Sequence, residues 1–134
     1  RVIANIDLLP LTAECFEKLR NGDLEEQDIN AEDIIQSSEK ETVKYVYVEG
    51  LNTSSVTHLR CFLFMFEIFL GYICNPKRED LTLGAIGGSL AGEKLMLDLL
   101  FRISTTKDQR PDRVNFFEVK YQDIPKNFRY LRHN

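Results

Sequence analysis

The sequence has few of the residues that cross-link small domains. It holds three cysteines and two histidines in 134 residues, and no two cysteines form a C-x-x-C pair. This spacing is not that of a structural zinc site, and we expect no metal. The odd cysteine count and the apolar neighbours of Cys61 and Cys74 predict buried free thiols. Such thiols are typical of a reducing compartment, so we expect a cytoplasmic protein.

The chain also lacks an excess of positive charge. It has 17 lysines and arginines against 21 aspartates and glutamates, a net charge of −4. Proteins that bind nucleic acids usually carry a basic surface that neutralises phosphates. The composition therefore predicts no nucleic-acid partner.

No apolar run is long enough for a membrane span. The longest, CFLFMFEIFLGYIC at residues 61–74, has 14 residues and is interrupted by Glu67, whereas a span needs about 20. The first residues lack the apolar region of a signal peptide. We interpret residues 61–74 as part of a buried helix and expect no membrane partner.

The remaining composition is that of a globular protein, with 43% hydrophobic and 28% charged residues. At this length we expect a single domain over residues 1–134. The periodicity predicts strands at Val2–Leu9, Val43–Leu51, Leu81–Ile86 and Val114–Tyr121. It also predicts three helices: one after the N-cap candidate Thr12 that stops at Asn21 and Gly22, one from about Val56, and one from Leu90 that Ser89 can cap. We expect the second helix to end near Tyr72 and the third near Phe101. Acidic residues 23–33 are interpreted as a solvated connection and residues 104–113 as a polar loop.

The strongest predicted strand is apolar on both faces, which indicates an interior position in the sheet. A long helix separates it from the next strand, as a parallel crossover requires. The sequence thus predicts an α/β fold. A helix that begins at the carboxyl end of a parallel strand can bind an anion, and hydroxyls at Ser54, Ser55 and Thr57 would assist. The alternative is that residues 52–55 only cap the helix.

Two further features are candidates for a site. Gly84, Gly87, Gly88 and Ser89 lie between a strand and a helix, where glycines permit either a ligand or a tight turn. Glu49 stands near the end of the interior strand, where burial would raise its pKa and suit it to general-base chemistry. Its alternative is a strand-end carboxylate that reaches solvent or pairs with a basic residue.

Together these segments resemble the GNAT superfamily of acetyl-CoA-dependent N-acetyltransferases. Residues 2–11 are similar to the third strand of that family, and residues 45–51 to the fourth, on which the acyl-CoA site is built. Residues 89–101 resemble the segment after the fifth strand, and residues 116–121 a late strand of the C-terminal hairpin. The resemblance implies a mixed sheet flanked by helices, with a central parallel strand pair joined by a long crossover helix. The family's first strands and helices would precede residue 2.

The resemblance also implies a chemistry. Acetyl-CoA would bind where the two central strands part, with Glu49, Gly50 and Leu51 at the thioester and Ser89 also in contact. Its pyrophosphate would lie near Thr53, Ser54, Ser55 and Thr57. Glu49 would act as the general base toward an amine of a small molecule or peptide, and the Leu51 N–H would stabilise the oxyanion. Direct transfer needs neither a metal nor an enzyme thiol.

Departures from the family keep a second interpretation open. Residues 53–61 contain no glycine, whereas the family has glycines in its pyrophosphate loop. The position expected for a proton-donating tyrosine falls near Met96. The alternative is a non-catalytic, degenerate GNAT fold that acts through protein contacts. A second copy of the chain or a partner chain would then cover the apolar helix or the sheet edge.

Overall fold

The computed structural model describes residues 4–53 and 56–124, with side chains described for residues 7–50 and 64–124. In chain order the strands and helices are β1 (Ala4–Leu11), α1 (Ala13–Asn21), β2 (Tyr45–Thr53), α2 (Val56–Ile73), β3 (Thr82–Ile86), α3 (Leu90–Asp98), β4 (Arg102–Thr105) and β5 (Phe116–Lys120). Short 3-10 turns lie at Glu26–Asp28, Ala31–Asp33, Ser37–Thr42, Lys107–Gln109 and Tyr121–Asp123.

The strands form one mixed sheet in the order β1-β2-β3-β5-β4. Strands β2 and β3 are parallel, and the other neighbouring pairs are antiparallel. Helix α2 makes the crossover between the parallel strands, as parallel pairing requires. The predicted α/β class, the parallel pair and the interior position of β2 are therefore confirmed.

The predicted end of the first strand at Leu9 is wrong, because β1 continues through Pro10 to Leu11. Pro10 pairs in register with Val46, and β1 is an edge strand. The Pro10 carbonyl faces away from β2 and accepts from the Ile35 N–H at 2.8 Å. A proline is tolerated there because its nitrogen, which has no hydrogen to donate, also faces away from β2, where the ladder makes no hydrogen bond.

The predicted caps at Thr12, Gly22 and Ser89 are confirmed. The Cys15 N–H donates to the Thr12 hydroxyl at 3.3 Å, and α1 ends at Gly22, whose φ of 80° is left-handed. The Gly92 N–H donates to the Ser89 hydroxyl at 3.0 Å, so Ser89 caps α3. These local signals fix where α1 begins and ends and where α3 begins.

Helix α1 covers one face of the sheet. Its Phe16 is 1% exposed, stacks on Tyr45 at 4.6 Å and meets Phe116 edge to face at 5.7 Å. A Cβ at Gly84 would lie 2.5 Å from the Phe16 ring. The strand glycine therefore makes room for the aromatic side chains on this face.

Helices α2 and α3 contribute to the core on the opposite face. This core includes Phe66, Leu70 and Cys74 from the region of α2, and Met96 and Leu99 from the region of α3. Cys74 is a free buried thiol, as predicted, and burial raises its pKa to about 11. The side chain of Cys61 lies outside the described residues.

The interpretation of residues 61–74 as a buried helix holds for Phe66, Leu70 and Cys74 but is wrong for the outer face of the helix. Phe64 is 65% exposed and Tyr72 69% exposed, and Met65, Ile68 and Phe69 also reach the surface. The helix packs against one face of a single sheet, so its outer face remains uncovered although its residues are apolar. Among the described residues, no helix combines the length and hydropathy needed to cross a membrane.

The region after α3 also differs from the prediction. Helix α3 ends at Asp98 rather than near Phe101, because Leu100 adopts a left-handed φ of 69°. Residues 102–105 then form β4, so the predicted polar loop begins later than Ser104. Within that loop Arg110 is only 2% exposed, because its guanidinium donates to the Leu19 and Arg20 carbonyls that end α1.

Candidate functional site

The two parallel strands part at their carboxyl ends. Their register pairs run from Tyr45 and Thr82 to Val48 and Ala85. Beyond that point β2 continues beside β1 as far as Thr53, whereas β3 ends one residue later. The carboxyl ends of parallel strands are the usual location of ligand sites in α/β sheets.

Strand β2 bulges where this separation begins. Asp7 of β1 lies opposite Glu49, and the next pairs are shifted by one residue, so that Gly50 and Leu51 together face Ile6. Gly50 has a φ of 74°, which glycine adopts without strain. A bulge takes an extra residue out of the regular ladder and redirects the backbone.

A cavity of about 360 Å³ occupies the gap between the strand ends. It is lined by Glu26, Tyr47, Val48, Gly50, Ala85, Ile86, Gly88, Ser89, Gly92 and Met96. Tyr47 and Ile86 belong to the cluster on the face that α1 covers. Val48, Ala85 and Met96 belong to the core on the opposite face, to which α2 and α3 contribute. The cavity, which we call the slot, is therefore lined by residues from both faces of the sheet.

One wall of the slot carries a tyrosine–carboxylate pair. The hydroxyl of Tyr47 donates to Glu26 Oε1 at 2.5 Å. The ring of Tyr47 is 1% exposed, and burial, followed by the hydrogen bond to Glu26, raises the pKa of this phenol. Tyr47 therefore remains protonated and holds the Glu26 carboxylate in place.

Glu49 lies close to this pair without lining the slot itself. Its side chain is partly buried. Burial raises its pKa, and the negative charges of Glu26 and Asp7 raise it further. The carboxylate thus holds a proton more readily than a solvated glutamate does, which is the property that general-base chemistry near neutral pH requires.

A second cavity of about 330 Å³ adjoins the slot at Gly88 and Ser89. Its other lining residues are Gly87, Leu90, Glu93, Lys107, Arg113, Val114 and Asn115. Asn115 Nδ2 donates to Glu93 Oε2 at 3.1 Å and so joins α3 to the approach to β5. The beginning of α3 therefore contacts both cavities.

The predicted cofactor-binding residues fall into three groups. Gly50 and Ser89 line the slot from β2 and from the start of α3. The backbone of Leu51 lies in the bulge, that of Thr53 ends β2, and Thr57 stands in the first turn of α2. The side chains of these three residues, and Ser54 and Ser55 entirely, lie outside the described residues. The predicted pyrophosphate site at the start of α2 stays a prediction.

The glycines of the predicted segment have different surroundings. Gly84 and Gly87 make room for packed side chains, whereas Gly88 lines the slot. Gly84 accommodates Phe16, and Gly87 lies under Glu93 and Phe117. Among the three glycines of this segment, Gly88 alone combines a place on the slot with open space where a Cβ would stand. Close approach to a ligand is therefore available at Gly88.

Sequence reasoning missed Glu26 and Tyr47 as members of the site. Glu26 belongs to the acidic connection, whose charged residues, Glu26 among them, are mostly exposed as predicted. Its pairing with Tyr47 joins positions 21 residues apart, and no motif spacing signals such a contact. The alternation in β2 predicts that Tyr47 and Glu49 share a face, which was the available signal.

Neither a metal site nor a thiol nucleophile is supported by the described part of the chain. No group of three or more His, Cys, Asp or Glu side chains there is placed to hold a metal ion. The buried thiols of Cys15 and Cys74 both have pKa values raised to about 11, mainly by burial. Thiols of this kind are poor nucleophiles at neutral pH.

Comparison with known protein families, with curated proteins and with solved structures finds no match to this chain. The slot, the bulge and the groups around them are therefore the features that indicate a function.

Proposed function

We propose that the chain is an acyl-CoA-dependent N-acetyltransferase with a GNAT-like fold, and that the slot binds the acyl end of the co-substrate. The observation that carries the proposal is the parting of β2 and β3 after Val48 and Ala85, with a cavity in the gap. A thin acyl-pantetheine chain needs an opening of this kind, bordered by backbone groups that can hydrogen-bond to its amides.

The proposed reaction transfers an acetyl group from sulfur to nitrogen. The neutral amine attacks the thioester carbonyl, a C–N bond forms, and the C–S bond breaks. Glu49 takes the proton that the amine loses, and the thiolate leaving group is protonated as CoA. The backbone N–H of Leu51, in the bulge, is the proposed donor to the oxyanion.

Filling the slot tests the proposed donor site. Calorimetric titration with acetyl-CoA is expected to give micromolar binding to the native chain and at least tenfold weaker binding to Gly88→Leu, since a side chain there has open space to occupy. Gly71→Leu is the matched control, because Gly71 is equally open but lies on α2, away from the slot. No binding to the well-folded native chain would contradict the proposal.

Removing the proposed base separates chemistry from binding. Glu49→Gln keeps the size of the side chain but cannot take a proton, so we expect turnover to be abolished while acetyl-CoA affinity stays intact. Turnover is measured as CoA release with a panel of primary amines. Unchanged turnover would remove Glu49 from the mechanism.

The second candidate function is a non-catalytic module that self-associates, and the exposed face of α2 favours it. Its described part presents large apolar side chains to solvent at Phe64, Ile68, Phe69 and Tyr72. Glu67 is the single charged residue from position 64 to 73. A face with almost no charge suits pairing with an identical face better than with a charged partner.

Sedimentation velocity distinguishes the two candidates. A stable dimer that Phe69→Gln dissociates, together with no acetyl-CoA binding, would favour the module. A monomer that binds acetyl-CoA would favour the enzyme. Leu90→Gln is the control, because Leu90 is a large apolar side chain that is even more exposed than Phe69 but lies on α3.

A further inference from the structure

The slot has an open end and a closed end. At the open end, the lining residues Gly50, Gly88 and Ser89 are exposed to solvent. At the closed end, Val48 and Ala85 form the last register pair of the parallel strands and are 3% and 2% exposed. A molecule that enters from solvent therefore meets the glycines first and this strand pair last.

Helix α3 and its cap form one wall of the slot. Ser89, Gly92 and Met96 all line the slot, and their spacing of three and four residues places them on one side of the helix. Ser89 is exposed, Gly92 is half-buried, and Met96 is only 3% exposed. Along this wall a hydroxyl is followed by a position without a side chain and then by a buried thioether.

The closed end of this wall is apolar. Met96 belongs to the same core cluster as Val48 and Ala85. The Ser89 hydroxyl is engaged at the open end, where it accepts from the Gly92 N–H at 3.0 Å, and Tyr47 belongs to the cluster on the opposite face. Burial at the closed end therefore favours an apolar group, whereas a polar group would lose its hydrogen bonds to water.

We infer that the closed end receives the hydrocarbon part of the acyl group, and that Met96 limits the length of the acyl group that the site accepts. This inference rests on the proposed function, because it names the residue that sets acyl specificity at the same site. In this arrangement the thioester carbonyl lies at the bulge, and the carbon chain points inward to Met96. Met96 acts through its volume and takes no part in bond making.

Titration calorimetry with acetyl-CoA and butyryl-CoA tests the inference. Met96→Ala removes the thioether from the closed end, so the additional methylene groups of butyryl-CoA gain room to be buried. We expect the ratio of butyryl-CoA affinity to acetyl-CoA affinity to rise about tenfold over that of the native chain. Met96→Val removes less of the side chain and perturbs folding less, and we expect it to shift the ratio in the same direction by a smaller amount.

Leu99→Ala is the matched control. Leu99 follows α3 and is 2% exposed in the same core, but it does not line the slot. If loosened packing alone changed the ratio, both truncations would change it. We expect Leu99→Ala to leave the ratio unchanged. An unchanged ratio in the Met96 variants, or an equal shift in Leu99→Ala, would overturn the inference.

The outcomes also separate this inference from the proposed function. If acetyl-CoA binds to the native chain and the Met96 variants do not change the ratio, the proposed function stands and the inference alone fails. If the native chain binds neither acyl-CoA, the proposed function fails and the inference fails with it.

Discussion

The helices on the two faces of the sheet bury their apolar side chains to different extents. On one face α1 buries Cys15, Phe16 and Leu19, and its C-terminal carbonyls accept from the buried Arg110. On the other face α2 buries Phe66 and Leu70 but leaves apolar side chains in solvent. Both helices pack on the same sheet and both contact β2, so the sheet alone does not cause the difference.

The difference suggests that the α1 face mainly stabilises the fold, whereas the α2 face is available for interactions. The α1 face has its apolar side chains enclosed and its helix capped at both ends, which is what a stabilising layer requires. The described part of the α2 face exposes several large apolar side chains close together on one helix, and contiguous exposed apolar patches mark interaction surfaces. The slot lies where residues of both faces meet.

The largest expected effect on stability comes from removing a buried aromatic ring from the α1 face. Phe16→Ala removes a ring that is 1% exposed and contacts Tyr45 and Phe116, so we expect a loss of about 3–5 kcal/mol in the free energy of unfolding. Phe64→Ala, on the exposed face of α2, is expected to cost no more than about 0.5 kcal/mol. Urea denaturation measures both, and equal losses would refute the contrast between the faces.

The second effect concerns the cap on α1. Arg110→Met leaves the Leu19 and Arg20 carbonyls without this donor and breaks the ion pair with Asp112, so we expect a loss of about 2–3 kcal/mol. Arg113→Met is the control. Its contact with Asp108 is exposed and 3.8 Å long, so its loss is expected to stay below about 0.5 kcal/mol. Thermal unfolding distinguishes the two variants.

A third, smaller effect is expected at the contact between α1 and the sheet. In Gly84→Ala the new methyl group would lie 2.5 Å from the Phe16 ring and 2.8 Å from the Phe116 ring. Overpacking of this kind costs about 1–3 kcal/mol. Gly88→Ala meets open space and should leave the denaturation midpoint unchanged, and a shift as large as that of Gly84→Ala would contradict this account.

The smallest effect concerns pH. The pKa of Glu49 is raised in the folded chain, mainly by burial and then by Glu26 and Asp7. The folded state therefore holds this proton more tightly than the unfolded chain does, and ionisation lowers stability as the pH rises through the folded pKa. We expect Glu49→Gln to be slightly more stable than the native chain at pH 7. Below the unfolded value of about 4.3 the advantage should vanish, and a difference that persisted at pH 3.5 would contradict this origin.

Local signals in the sequence predict much of the fold. Thr12, Gly22 and Ser89 cap helices as expected, and the apolar run around Val46 marks an interior strand. These features depend on neighbouring residues, so their patterns are visible in the chain. The continuation of β1 through Pro10 was not predicted. A strand tolerates a proline at the edge of a sheet, and only the assembled sheet shows that β1 is an edge strand.

The site was less predictable than the fold. Gly50 and Ser89 were expected at the parting of the strands, and they line the slot. Glu26 was interpreted as part of a solvated segment, because its partnership with Tyr47 is a contact between separate elements. Arg110 was missed for the same reason, since nothing in a polar loop indicates that a guanidinium is buried against a helix 90 residues away.

The contact of Arg110 with the end of α1 has a consequence for the order in which the chain folds. It joins positions separated by 91 residues, so the loop between them must close before the hydrogen bond forms. Contacts of such long sequence separation are slow to assemble. We expect this contact to be absent from the transition state, so that Arg110→Met accelerates unfolding and leaves the refolding rate nearly unchanged.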